Sequence, residues 1–361
     1  MVYGKKEAVM TRGLAILTMV CLHLFCRLGS DILYTPLIWI SDNKPFVYWI
    51  GFFCEICVPL YSLCAGYAQY LLYQKDKSKL KDNIKRIGKI LKNYWIILVM
   101  FSIIGLILGN ELIPGSFSKF LMHVFLISNG YNGAWWYLQT YVIILLIPSF
   151  ILMFPIKKIN SYVGISAILL LEFVWYVVSH FYNFQFNTTS IATTIIIKAI
   201  QDFLNVIPYF LVGAFICKGE LIDKLDNVIK RIIERVNSYT INIIIMVLLL
   251  IDFLITGILN KSVLSGINAI IIFFAFNLIK KSKNVERAFM FLGKHSTNIL
   301  LTHMFFYSVL FQGFIWKAKY PIIILSLMLV LCIVSSYIEM IISNGVDKVF
   351  SCIRNRKIAN L

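Results

Sequence analysis

Residues 321–343 read PIIILSLMLVLCIVSSYIEMIIS, a run whose one ionisable side chain is Glu339. An α-helix rises about 1.5 Å per residue, so roughly 20 residues cross the ~30 Å of hydrocarbon in a bilayer. The run is continuous, whereas a strand of a membrane barrel alternates apolar and polar residues. It therefore reads as a transmembrane helix, and similar blocks recur along the chain. The spans expected are 12–28, 46–73, 94–109, 134–154, 161–179, 195–217, 239–257, 263–279, 296–315 and 321–343. Composition agrees: 60% of the 361 residues are hydrophobic and 14% charged, against about 45–50% and 25% in soluble domains. The expected fold class is all-α, a polytopic membrane helix bundle of about ten spans with both termini cytoplasmic, forming a single membrane-embedded domain over 1–361.

One apolar segment, 117–128, covers only about 18 Å as a helix and is too short to cross. Charge decides its status. Leaving it re-entrant or interfacial puts the large majority of the 34 Lys and Arg in cytoplasmic segments. Counting it as a span inverts everything after it and reverses the bias, against the positive-inside rule. The same rule accounts for the net charge of +17, and no separate basic domain is left over to bind nucleic acid. Two cytoplasmic segments, the basic Lys75–Lys92 and 218–238, read as helices on the inner leaflet. The second carries an apolar stripe of Leu221, Leu225, Val228, Ile229, Ile232 and Val236. Each is either a topology signal or a site for anionic lipid or cofactor.

Most of the eight cysteines lie inside apolar blocks, where Cys behaves as a small hydrophobe. The lone Cys54-x-x-Cys57 lacks a second pair, so no metal is expected. The first block has no small-x-small cleavage site after Cys26 and reads as a retained helix. The richness in Ile, Asn and Lys points to a bacterial source and hence a plasma membrane.

Ionisable groups within spans cost about 2.5 to 3.5 kcal/mol each on insertion scales and call for a partner or a purpose. The first span contains Arg12-Gly-Leu-Ala-Ile-Leu-Thr-Met-Val-Cys-Leu-His23. Eleven residues at 100° each return to within about 20° of a whole number of turns, so both side chains leave one face, separated by about 16.5 Å of depth. The spacing suits a ligand with an anionic head held by Arg12 and a reactive tail near His23. His23 can then take a proton from an attacking hydroxyl. The alternative is a topology-setting arginine and a packed histidine. Glu55 enters the second span at comparable depth and either orients the imidazole, as the third member of a triad does, or is protonated and hydrogen-bonded.

The stretch Gly293-Lys-His-Ser-Thr-Asn-Ile-Leu-Leu-Thr-His-Met304 is unusually polar for a span. Its Ser, Thr and Asn either glue helices or line a pocket with His303 and Asn298. Lys198 and Asp202, four apart, read as a mutual pair, while Glu172, Asp252 and Glu339 stay unranked. Trp135, Trp136 and Tyr137 are either an interfacial aromatic belt or a platform for a sugar ring, and His123 is a candidate for the same external mouth.

Three segments resemble the membrane acyltransferase family 3: Arg12 to His23, which matches its Arg, ten residues, His signature; Val58-Pro-Leu-Tyr-Ser-Leu-Cys-Ala-Gly-Tyr67; and Leu292-Gly-Lys-His-Ser-Thr-Asn-Ile-Leu-Leu-Thr-His303. Trp136-Tyr-Leu with Tyr141 and Pro148 is similar to its middle region. Pro59 and Ala65 depart from the family's pattern, and no esterase-like domain is fused. The resemblance implies an O-acyltransferase, most simply an O-acetyltransferase, using acyl-coenzyme A (acetyl-CoA) as donor and a hydroxyl of a cell-surface polysaccharide or glycolipid as acceptor. In that picture Arg12 binds the donor; His23, Glu55 and His303 carry catalysis; and Trp135, Trp136, His123 and Asn298 contact the acceptor. Asn298, Thr302 and His303 are the candidates for stabilising an oxyanion. A transporter or flippase of a glycan or small anion, with Arg12 on the cargo and His23 relaying protons, is the other class the residues admit.

Overall fold

A computed structural model of the chain describes residues 3–41, 43–181, 190–233, 237–260 and 262–359. Val236 of the predicted stripe lies outside the described residues, as do residues 182–189 between two of the expected spans. In chain order the helices are α1 (Lys5–Phe25), α2 (Phe46–Phe53), α3 (Cys57–Gln74), α4 (Leu80–Ile107), α5 (Phe117–Val124), α6 (Trp135–Leu146), α7 (Ser149–Lys158) and α8 (Ser161–Phe181). They continue as α9 (Ile191–Lys218), α10 (Leu221–Ile233), α11 (Ser238–Leu259), α12 (Leu264–Leu278), α13 (Lys283–Met304), α14 (Gln312–Trp316) and α15 (Pro321–Ala359). Beyond these, a two-stranded antiparallel ribbon pairs Trp39–Ser41 with Lys44–Pro45. Backbone amides in hydrocarbon have no water to bond, and continuous helices satisfy them within one segment.

The chain is an all-α, multi-pass membrane protein. Seven of the described helices are long and apolar enough to cross a bilayer, or eight if α6 and α7, bent by 76° at their junction, form one broken span. The break falls at Pro148, which has no N–H to continue the ladder. A helix occupies the position of every span read from the sequence. Among them α12 is shorter, and α13 starts in a charged segment well ahead of the predicted span, then passes into a π-helical turn at Phe305–Val309. The segment predicted to be re-entrant forms α5, only 8 residues long and capped by the Ser116 hydroxyl, which accepts from the Lys119 amide at 3.2 Å. Its length, about 12 Å, cannot cross.

One expectation is corrected. Lys75–Lys92 is not a separate surface helix, because from Leu80 onward it is the first half of α4, a single helix of 28 residues. No proline interrupts it, and its Leu and Lys residues favour the helix. The second amphipathic segment does form its own helix, α10, with Leu221 and Ile222 buried and Lys224, Leu225 and Val228 lining a cavity of about 390 Å³ with residues of α8, α9 and α12.

The chain divides into two compact units. The first comprises Met1–Ile32, Pro36–Ile84 and Thr140–Ser296; the second comprises Leu33–Thr35, Lys85–Gln139 and Thr297–Leu361. In the first, α3 and α9 pack most intimately. A Cβ on Gly66 would lie 1.7 Å from the carbonyl oxygen of Phe210, and one on Gly213 would lie 2.1 Å from that of Leu63. Lipid offers no hydrophobic drive between helices, so such backbone approach over small residues supplies the dispersion contact.

Candidate active site

Within the first unit, α1 runs without interruption from Lys5 to Phe25, so Arg12 and His23 share one rigid helix and are both half-buried. Neighbouring helices fix its N-terminal half. A Cβ on Gly13, the residue after Arg12, would lie 2.1 Å from the Phe289 carbonyl oxygen, and one on Gly293 would lie 1.9 Å from that of Val9. Glycine is required at both positions for α1 and α13 to cross there. Lys6 donates to Glu286 of α13 at 2.7 Å beside that crossing, while Thr11 meets Asn277 of α12 at 3.3 Å and the Tyr3 hydroxyl donates to the Cys64 sulfur of α3 at 3.3 Å.

Arg12 acts electrostatically on Tyr61 and Cys64 of α3, and the Tyr61 hydroxyl also faces that of Ser296. Tyr61 is a phenol beside the candidate phosphate-binding cation that sequence reading passed over, since one tyrosine inside an apolar run carries no periodic signal.

At the other end of α1, a 3₁₀ turn, Cys54–Ile56, carries Glu55 and packs on the helix. The Cys21 thiol hydrogen-bonds Cys54, which brings that turn to α1 two residues before His23. Glu55 is half-buried and acts electrostatically on Cys26, three residues beyond His23. Close approach again decides the path: a Cβ on Gly51 would lie 2.5 Å from the Cys26 nitrogen. Arg27, four residues after His23, donates to the His23 carbonyl oxygen at 3.4 Å and adds a second cation at this end of α1. Its spacing from His23 is the helical i, i+4 step, a signal that was present in the sequence.

The second unit holds the remaining candidates. The Asn298 amide donates to Glu339 at 2.6 Å and to Ser336 at 3.0 Å, and its carbonyl accepts from Asn93 at 3.2 Å. All of its polar atoms are thereby engaged in joining α13 to α4 and α15, the helix-gluing role. Thr302 donates to the Asn298 carbonyl at 2.8 Å. His303 is fully buried with Nδ1 at 3.0 Å from the carbonyls of Ile299 and Leu300, which places the proton on Nδ1.

Trp135 is fully buried, donates to the Leu301 carbonyl at 3.1 Å, and meets Tyr94, Phe305 and His123 edge-on, so its ring is packing between helices. His123 stacks on Tyr131 with ring centroids 3.5 Å apart. Its Nε2 accepts from the Tyr131 amide at 3.1 Å, and its Nδ1 lies 2.7 Å from the Lys119 carbonyl. A backbone N–H can only donate, so the ring is the neutral Nδ1–H tautomer. Burial, with the charge of Lys119 nearby, lowers the His123 pKa from its ordinary value. Both nitrogens are thus occupied within the unit. Trp136, at the start of α6, is half-buried.

A family model described as an acyltransferase domain matches residues 10–340, a range that contains every candidate site residue from Arg12 to His303. No curated protein and no solved structure matches the chain.

Proposed function

The chain belongs to this acyltransferase-domain family, the membrane acyltransferase family 3, and on that premise we propose that it moves an acyl group, acetyl in the simplest case, from cytoplasmic acyl-coenzyme A to a hydroxyl of a cell-surface polysaccharide, glycolipid or related acceptor. The observation that supports this reading is the pairing of Arg12 and His23 on one unbroken helix. Half-buried, on a shared face and about 16.5 Å apart along the axis, they match a donor whose phosphates and thioester lie at opposite ends of a long arm.

The Arg12 guanidinium binds a phosphate through its planar fork of donors. The His23 imidazole takes the proton as the acceptor oxygen attacks the thioester carbonyl. The new C–O bond forms, the C–S bond breaks, and the imidazolium returns the proton to the departing thiolate. Glu55 acts as the group that orients the ring and offsets its positive charge, as the carboxylate of a triad does. Among the acceptor candidates, Trp136 stacks on a sugar ring of the acceptor, while Trp135, His123 and Asn298 hold the frame.

The test is release of free thiol from acetyl-coenzyme A by purified full-length protein in lipid nanodiscs, comparing wild type with His23→Ala and Arg12→Ala. We expect loss of turnover in the first and a raised KM for the donor in the second. Equal turnover in all three overturns the assignment of roles, and absence of turnover with any acyl donor favours a transporter.

A further inference from the structure

The lysines of α4, for which the sequence leaves open a topology signal or an anionic-lipid or cofactor site, do more than mark a side of the membrane. Lys85, Gly88, Lys89, Lys92 and Asn93 line a groove of about 750 Å³ together with Thr297 of α13 and Asp347 of α15. A topology signal requires a count of positive charges in a loop and needs neither a groove nor a shared face. Here Lys85, Lys89 and Lys92 fall within a sector of about 60° on the helix. Lys92 is paired to Asp347 at 2.7 Å. Two further lysines remain on the groove, and at Gly88 nothing lies within 4 Å of where a Cβ would stand, so the floor is open.

Following the same helix onward, the character of that face changes abruptly. Val99, Ile103 and Leu106 project from the same sector of about 100°, and they are 47%, 51% and 64% exposed. With Phe117 and Phe120 of α5 they line a second groove of about 390 Å³. Between the two grooves sits Trp95, 43% exposed with its ring N–H on the Val124 carbonyl at 2.9 Å, an aromatic at the boundary where such rings settle in membranes. Lys92 and Val99 are about 10 Å apart along the axis, and Lys92 and Leu106 about 21 Å, so a chain running inward from a headgroup at Lys92 passes all three side chains from the boundary to a little beyond the middle of a roughly 30 Å hydrocarbon layer.

We propose that this face of α4 binds an anionic phospholipid, its phosphate held by Lys85, Lys89 and Lys92 in the basic groove and an acyl chain laid along Val99, Ile103 and Leu106. A soluble phosphate compound shares the headgroup chemistry but has no use for the apolar continuation, and that continuation selects the lipid. The proposal does not rest on the acyltransfer reading, and its readout is binding rather than turnover.

The experiment is native mass spectrometry of the full-length protein titrated with phosphatidylglycerol or with phosphatidylcholine of the same chains, with inorganic pyrophosphate as competitor. Lys85→Gln/Lys89→Gln leaves the Lys92–Asp347 ion pair intact and is the primary variant, with Lys92→Gln added as the triple. Lys230→Gln/Arg231→Gln on α10 removes the same charge elsewhere. Surface lysines contribute enough each that the double variant should lose roughly thirtyfold in phosphatidylglycerol affinity, while the α10 variant keeps it. Equal binding of the two lipids, or undiminished binding by Lys85→Gln/Lys89→Gln, overturns the proposal. Saturable pyrophosphate binding without a preference between the lipids also overturns it and assigns the groove to a soluble phosphate.

Discussion

Two sets of helices in the first unit are alike in sequence and opposite in surroundings. In α3 with its lead-in α2, 61% of the most apolar window is buried, and in α1 56%; in α11 the figure is 17% and in α8 11%. Yet α11 is the more apolar of these segments, with a single ionisable group, Asp252. In water the more hydrophobic helix would be the inner one. In a bilayer lipid satisfies an apolar surface as well as protein does, and the interior goes to helices that offer small residues and polar side chains to their neighbours. Helix α3 presents Gly66 to α9, and α1 presents Gly13 to α13, whereas Ile243, Val247, Leu254 and Ile258 of α11 are all exposed. Of the candidate catalytic groups, His23 and Glu55 belong to the inner set.

If that contrast is functional, the largest effect follows from changing the inner helix at its imidazole. His23→Ala should lower acyl-transfer turnover by about 10² to 10⁴, the usual worth of a general base, measured by thiol release, whereas Asp252→Asn on α11 should leave turnover unchanged. Next comes packing. Gly66→Leu forces a side chain into the Phe210 carbonyl and should cost about 3 kcal/mol, the upper end of overpacking, seen as a large fall in melting temperature in detergent.

A smaller effect is expected where an outer helix makes one polar contact. Tyr209 of α9 donates to Glu172 of α8 at 3.2 Å, and Tyr209→Phe should lower stability by about 1 kcal/mol. Smallest of all, Ile258→Ala, at a position 71% exposed, should stay within about 0.5 kcal/mol of wild type in the same melt. A cost comparable with that of Gly66→Leu would mean that Ile258 packs against protein and would break the contrast.

In the second unit, an enclosed imidazole extends the same reasoning to pH. Because burial lowers the His123 pKa below its unfolded value, the unfolded chain binds more protons in the interval between the two. Stability should therefore be fully present above the ordinary histidine value of about 6.5 and fall as pH drops through and below it. Thermal melts across that interval should show the decline in wild type and not in His123→Gln.

Much of this was legible without coordinates. The positions of the spans followed from apolar blocks of membrane length, and the common face of Arg12 and His23 followed from helix pitch alone. That α5 is too short to cross followed from the length of its apolar segment and from charge counting. What escaped was whatever depends on partners distant in sequence. Trp135 and His123 read as external-mouth candidates because aromatic and imidazole rings look the same whether they face a sugar or one another. Their enclosure came from Tyr94, Phe305 and Tyr131. Asn298 likewise looked available until Asn93, Ser336 and Glu339 were found on its amide.

The sequence by itself determined that the chain lives in a bilayer and where its helices run, because hydrocarbon forces every backbone amide to find its partner within the same segment. Tertiary structure alone decided which helices are inner and which face lipid, and that the basic stretch after Leu80 belongs to one long helix lining a groove. Those outcomes rest on backbone approach at Gly13, Gly66, Gly213 and Gly293 and on hydrogen bonds between residues up to hundreds of positions apart. No local pattern of hydropathy encodes them, since lipid and protein interiors are equally apolar to a leucine.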